Sequence, residues 1–216
     1  MGGSGSGDIV GHEFHGNQWG DSVTAVKNAV EHAKQIEPHL TNVVNTIADN
    51  TGGKIVGDKF KLKSESSVYK KISEKVRDEK ITPHAALEKM TDLNRYTIIY
   101  PNDEHFAQNV LDAQTQLKKE GLSTYKNKQK NYFGREGTGD YIGYNTVMVK
   151  GNDKVEIQFH TPESYRTKEM IHATYQVYKD TTDLHERYTA RTRMVKTWQA
   201  VKATPVGYQN LQGKRM

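Results

Sequence analysis

Cysteine is absent from the 216 residues, so disulfides, thiolate nucleophiles and zinc–thiolate sites are excluded. No stretch approaches the ~18 consecutive apolar residues that a membrane-spanning helix needs, so no membrane partner is expected. The first residues, Met1-Gly-Gly-Ser-Gly-Ser-Gly7, lack the basic start and apolar core of a signal peptide. They read as a linker or expression scar and are set apart from the fold. The absence of cysteine suits a reducing compartment, so the expected site of action is cytoplasmic. A mean hydropathy of -0.84 is polar, yet apolar residues recur at helical and strand periods from residue 23 to about 200, which excludes wholesale disorder. The formal charge of +5 favours phosphate-rich partners without separating a nucleotide from an RNA.

Residues 8–53 form a leader followed by helix. His12-Glu-Phe-His-Gly-Asn-Gln-Trp19 is a polar and aromatic stretch, readable as a metal-binding His pair or as a packing segment; it resembles a short motif of phage head-associated proteins. Val23, Val26, Val30 and Ala33 mark one helical face, and Leu40, Val43, Val44 and Ile47 continue it beyond Pro38, which is expected to divide two helices. Gly52-Gly53 is the stop.

Residues 54–203 read as one catalytic-sized domain. A short strand spans 54–62, a helix opens at Ser66 or Ser67, and another opens at Pro83. Arg95-Tyr-Thr-Ile-Ile-Tyr100 is a core strand, followed by a helix over 103–120. A strand over 122–129 leads into a mobile loop over 130–140. Residues 142–150 and 154–160 make a hairpin around Gly151-Asn-Asp153. Two helices follow, the second capped by Asp183, and residues 204–216 are expected to be a flexible tail. The order predicts an α/β domain with a small mixed sheet flanked by helices, with extra helices at both ends.

Three clusters carry chemistry-bearing side chains. Lys61-Leu-Lys63-Ser-Glu-Ser-Ser67-Val-Tyr-Lys70-Lys71 places lysines and serines at a strand-to-helix junction. Helix-start N–H groups and lysine charges attract polyphosphate there; a solvated amphipathic helix shows the same pattern. Asp92, just before the core strand, suits either Mg²⁺ or the cap of a turn. In Val155-Glu-Ile-Gln-Phe-His160, alternation puts Glu156, Gln158 and His160 on one strand face, as a sheet-borne site or a half-exposed strand requires.

By type and order these clusters resemble the synthetase domain of the RelA/SpoT family, over roughly residues 54–179. The resemblance implies the family's nucleotidyltransferase-like fold and an ATP-dependent pyrophosphokinase. Such an enzyme moves pyrophosphate to the ribose 3'-hydroxyl of a purine nucleotide, making (p)ppGpp or (p)ppApp. It implies ATP-phosphate binding by Lys61, Lys63, Ser67 and Lys71, with Arg95 assisting. Asp92 and Glu156 become the catalytic carboxylates and the ligands of Mg²⁺. The acceptor nucleotide falls to Tyr144, which stacks on its base, together with Asn145, Gln158 and His160. Met148 and His160 depart from the residues usual in housekeeping members, and Lys61 replaces arginine. Asp-Leu-Asn-Arg-Tyr-Thr with Gln-Phe-His-Thr-Pro-Glu-Ser is closer to toxin-type members attached to phage or secreted proteins. This implies a growth-inhibiting role and an antitoxin or immunity partner. Two other readings remain at this stage: a pyrophosphokinase acting on the tRNA 3' end, and a non-catalytic phage structural or binding module on the same scaffold.

Overall fold

The computed structural model describes residues 16–135, 138–139 and 141–215, with side chains from residue 21 onward. The segment 1–7 and residues 12–15, the first half of the His12–Trp19 stretch, lie outside the described residues; the second half opens the first helix. Two compact units divide the chain: one comprises the described residues up to Glu31 with Ser64–Met90, the other His32–Lys63 with residues from Thr91 onward.

Helix α1 (Gly16–Asn50) contributes its first part to one unit and its second part to the other. The division expected at Pro38 does not occur, because the helix runs through it. Pro38 and Lys34, whose carbonyl loses its helical donor, are both exposed, so water can take up the unmade bond. The buried residues of the stripe, among them Val30, Ala33, Leu40 and Val44, keep helical spacing on both sides of the proline and hold the helix together. At its end Gly53 N–H donates to the Ala48 carbonyl at 2.7 Å. A Cβ on Gly53 would come within 2.6 Å of the Tyr100 ring and 2.7 Å of Ile98, so this close approach requires glycine.

In the first unit, α2 (Glu65–Glu79) starts one or two residues before the Ser66 or Ser67 at which the sequence opened it, and is capped by Ser64, whose hydroxyl accepts from Ser67 N–H. Thr82 caps α3 (Pro83–Glu88) in the same manner. The buried apolar side chains of this unit include Val26, Val30, Val68, Ile72, Pro83, Ala86 and Met90.

The second unit holds a six-stranded mixed sheet, in chain order β1 (Lys54–Val56), β2 (Asn94–Ile99), β3 (Ser123–Asn131), β4 (Tyr144–Lys150), β5 (Asp153–His160) and β6 (Lys214–Arg215). Their spatial order is β1-β2-β5-β4-β3-β6. The central β2 and β5 run parallel, whereas β4 is antiparallel to both β5 and β3. The β4–β5 hairpin closes on a two-residue turn, with Lys150 opposite Asp153 and Gly151 at φ 60°. The α/β class with a small mixed sheet flanked by helices is as the sequence indicated.

Alternation sorts the side chains of the two central strands. Tyr96, Ile98, Val155, Ile157 and Phe159 enter the core with the second part of α1 and with α4 (Phe106–Lys119). The opposite face carries Arg95, Thr97, Glu156, Gln158 and His160, beside α5 (Pro162–Asp180). Thr161 and Ser164 form a reciprocal capping box at the start of α5, and Asp183 caps α6 (Leu184–Gln199) through the Glu186 N–H at 2.8 Å.

Two expectations need correction. The segment expected to be a mobile loop begins as ordered structure: β3 runs to Asn131, and buried Phe133 meets Phe106 edge-on at 5.2 Å. The tail from 204, expected to be flexible, docks through its described residues. Leu211 is 3% exposed, the Tyr208 carbonyl accepts from Asn131 at 2.9 Å, and β6 pairs with β3. Buried Leu211 and Pro205, Tyr208 packed against the core, and side-chain hydrogen bonds involving Thr204 and Asn131 anchor the segment.

Candidate active site

The polar face of β2 and β5 is a ladder fixed by strand register. Arg95 stands beside Glu156, and in the next pair Thr97, Gln158 and Asn145 line up across β2, β5 and β4. Gln158 donates its side-chain N–H to Glu156 in a short hydrogen bond and accepts from Lys168 of α5 at 2.7 Å. Burial is the largest influence on the Lys168 ammonium and lowers its pKa to about 8. The Arg95 charge pushes the same way, and Glu169 and Glu156 oppose both.

The lysine-bearing segment is stitched to the start of β2. Arg95 N–H donates to the Lys61 carbonyl and Lys63 N–H to the Leu93 carbonyl, both at 2.9 Å. This places the Lys63 ammonium 3.1 Å from the Asp92 carboxylate, with the side chains 18% and 7% exposed. The pair is therefore largely desolvated, and each charge depends on the other. Lys61 contacts Asp58 at 3.0 Å and lines a cleft of about 360 Å³ with Lys34, Glu37, Asp58, Lys59 and Leu62.

The structure brings Arg95, Asn145, Glu156 and Gln158 to one face, and it pairs Lys63 with Asp92. Ser67 and Lys71 belong to the first unit, in the first two turns of α2, where the Ser67 hydroxyl accepts from Ser64 at 2.8 Å.

Tyr144 departs from its expected role of stacking on an acceptor base. Register with Phe159 puts it on the core face, fully buried, with its hydroxyl accepting from Gln114 and Gln129 at 3.0 Å each. A ring enclosed in this way has no free face for a base.

His160, also expected at the acceptor, lies on the polar face but is fully buried. Its Nε2 meets the Tyr141 hydroxyl at 2.7 Å and its Nδ1 the Ser164 hydroxyl at 2.8 Å. Because the Tyr141 hydroxyl donates to Asn145 Oδ1, Nε2 must carry the ring proton. Burial drives the His160 pKa well below its ordinary value, and the nearby Lys168 charge adds to this, so the ring is neutral. His160 is therefore enclosed by Tyr141 and Ser164, and through the Tyr141 hydroxyl it is linked to Asn145.

Lys168 and Tyr141 were not picked out in the sequence. The available signal was the spacing of α5: Lys168 lies one turn beyond Ser164, which already contacts His160.

Asp92 and Glu156 are the two carboxylates that the sequence resemblance assigns to a metal; Asp92 is held by Lys63, and among the described residues no group of three His, Cys, Asp or Glu converges. Such a sparse, all-oxygen set suits Mg²⁺, which commonly takes one or two carboxylates and completes its shell with phosphate and water.

No protein-family model and no curated protein matches the chain. Solved structures do. Small alarmone synthetase 2 from Bacillus subtilis aligns over 80% of this chain and 90% of its own, with TM-score 0.54 and 16% identity. Small alarmone synthetase 1 from the same organism aligns over 85% and 90%, with TM-score 0.53 and 18% identity. The same synthetase bound to its product pppGpp gives TM-score 0.50 at 18% identity, over 85% and 91%. The chain has the fold of the small alarmone synthetases.

Proposed function

We propose that this protein is an ATP-dependent nucleotide pyrophosphokinase that transfers pyrophosphate to the ribose 3'-hydroxyl of a purine nucleotide. The observation that carries the reading is the Glu156 carboxylate beside Arg95 on the polar sheet face, with the Lys63–Asp92 pair close by in sequence at the start of β2. The shared fold supports it, since one of the similar structures is described as bound to pppGpp.

In the proposed reaction the ribose 3' oxygen forms a bond to the β-phosphorus of ATP. The bond from that phosphorus to the bridging oxygen breaks, and AMP leaves. The hydroxyl proton passes to a Glu156 oxygen, which needs to come within about 2.6–3.2 Å of it. Lys61 and Lys63 hold the phosphates and offset charge as it builds, an electrostatic contribution that is usually the largest in such sites. Ser67 and Lys71 join them on the strength of the sequence resemblance. Arg95 faces the same chemistry from the strand beside Glu156. Asn145 and Gln158 provide polar contacts for the acceptor. Mg²⁺, held by Asp92 and Glu156, would neutralise phosphate charge when bound.

The test is chromatography of γ-labelled ATP incubated with the protein, Mg²⁺ and, separately, GDP, GTP, ADP, AMP or deacylated tRNA. A labelled product with equimolar AMP supports the reading, and the productive acceptor identifies it. Release of ADP instead of AMP would mean single-phosphate transfer, and no labelled product from folded protein would leave a binding or structural role. Such consumption of ATP and purine nucleotide would make the protein growth-inhibiting. Induction in a bacterial host, with and without a neutralising partner, tests that consequence.

A further inference from the structure

The Gln158 side-chain amide lies between two groups of opposite capacity. The Lys168 ammonium only donates hydrogen bonds and the Glu156 carboxylate only accepts them, so one orientation satisfies both. In it the Gln158 carbonyl oxygen takes the Lys168 bond at 2.7 Å, and its N–H reaches Glu156 Oε1. Gln158 is buried, so a flipped amide would set its oxygen against a carboxylate and its N–H against an ammonium with little water to compensate. Glu156 Oε1 is occupied, and among the described residues Oε2 takes no hydrogen bond.

Lys168 is itself held on several sides. Arg95 on β2, Glu156 and His160 on β5, and Glu169 on α5 interact with its charge, and its ammonium lies 5.6 Å from the Tyr165 ring centroid. A half-buried lysine set among charged groups and bonded to a buried glutamine differs from the exposed lysines that decorate this surface.

We propose that Lys168 is a positioning residue that acts through Gln158: it locks the amide, which holds Glu156 by Oε1 and leaves Oε2 for the acceptor hydroxyl. The inference rests on the reading of Glu156 as the carboxylate of transfer. Loss of the ammonium frees the amide to turn and the carboxylate to rotate away from its productive angle. Misplacement on that scale lowers turnover by about ten- to a hundredfold without weakening ATP binding.

The experiment uses the full chain in four forms: wild type, Lys168→Met, Lys168→Arg and Gln158→Leu, with the double variant Lys168→Met/Gln158→Leu as a fifth. Thermal melts confirm that each is folded. Lys168→Met is expected to lower kcat by the stated factor with KM for ATP within about twofold, and Lys168→Arg is expected to recover most of the loss. The double variant is expected to be no worse than Gln158→Leu alone, because the two residues act in series. A raised KM with unchanged kcat, or losses that multiply, would overturn the inference.

A second readout does not depend on activity. The Gln158 side-chain amide cross-peak in a ¹H–¹⁵N spectrum, assigned by its disappearance in Gln158→Leu, should lie away from the free-amide position. It should move to that position in Lys168→Met and stay in place in Lys168→Arg. If the wild type transfers nothing, the proposed function fails while the cross-peak still decides the inference. An unmoved cross-peak in Lys168→Met rejects the inference whatever the activity.

Discussion

Substituting Tyr144→Phe separates a core role for this residue from a role at the acceptor. The ring packs 6.0 Å from Phe159 and keeps its place, while the hydroxyl disappears. Two side-chain donors then lose their acceptor. Gln114 is buried and has no route to water, so its unmade bond costs about 1–3 kcal/mol. Gln129 is half-buried and can turn partly to solvent, so its loss lies near the bottom of that range. The sum is about 2–4 kcal/mol. In a chain of this size it lowers the melting temperature by roughly 4–16 °C, at ~2–4 °C per kcal/mol. Urea titration followed by circular dichroism measures the change, with the slope unchanged and the midpoint lowered. Turnover and acceptor KM are expected to stay within about twofold. Unchanged stability, particularly with a raised KM for the acceptor, would refute the burial argument and return Tyr144 to the site.

Leu211→Ala tests the docked C-terminal segment; a buried leucine truncation costs about 2–5 kcal/mol, whereas in a loose tail it would cost nothing measurable by urea titration. The lowered pKa of Lys168 makes a signed contribution to stability. Between about pH 8 and its unfolded value of 10.5 the unfolded chain holds a proton at this residue that the folded chain has released. Stability from this group therefore rises with pH across that window. The urea midpoint of wild type relative to Lys168→Met is expected to increase from pH 8 to pH 10, and a flat or falling difference would contradict the burial of the ammonium.

Much of the sheet was legible because alternation in a strand is a local signal. Val155, Ile157 and Phe159 against Glu156, Gln158 and His160 divide β5 into an apolar and a polar face without knowledge of its neighbours. Side-chain depth was not legible in the same way. His160 keeps to the polar face, yet Tyr141 and Ser164 close over it, and those partners come from a loop and a helix. Tyr144 and Asn145 are adjacent in sequence, and only pairing with Phe159 and Gln158 decides which of them faces the core. Pro38 reads as a break because local propensity is unfavourable to helix, and a tertiary stripe on both sides of it prevails. Lys168 sits in a polar helix whose composition marks no buried face, so its half-buried place beside Gln158 arises from packing that the sequence does not display.

Glu156→Gln, which keeps the volume and much of the hydrogen-bonding shape of the carboxylate but cannot take the acceptor proton, bears most directly on the central claim. The measurement is AMP release coupled to labelled-acceptor formation, made on wild type and variant at matched thermal stability. Wild type is expected to produce the two in equal amounts, and the variant to be slower by about 10²–10⁴-fold with ATP binding retained. Equal rates in the two proteins, or no product from folded wild type with any acceptor, would contradict the assignment of pyrophosphate transfer to this sheet face.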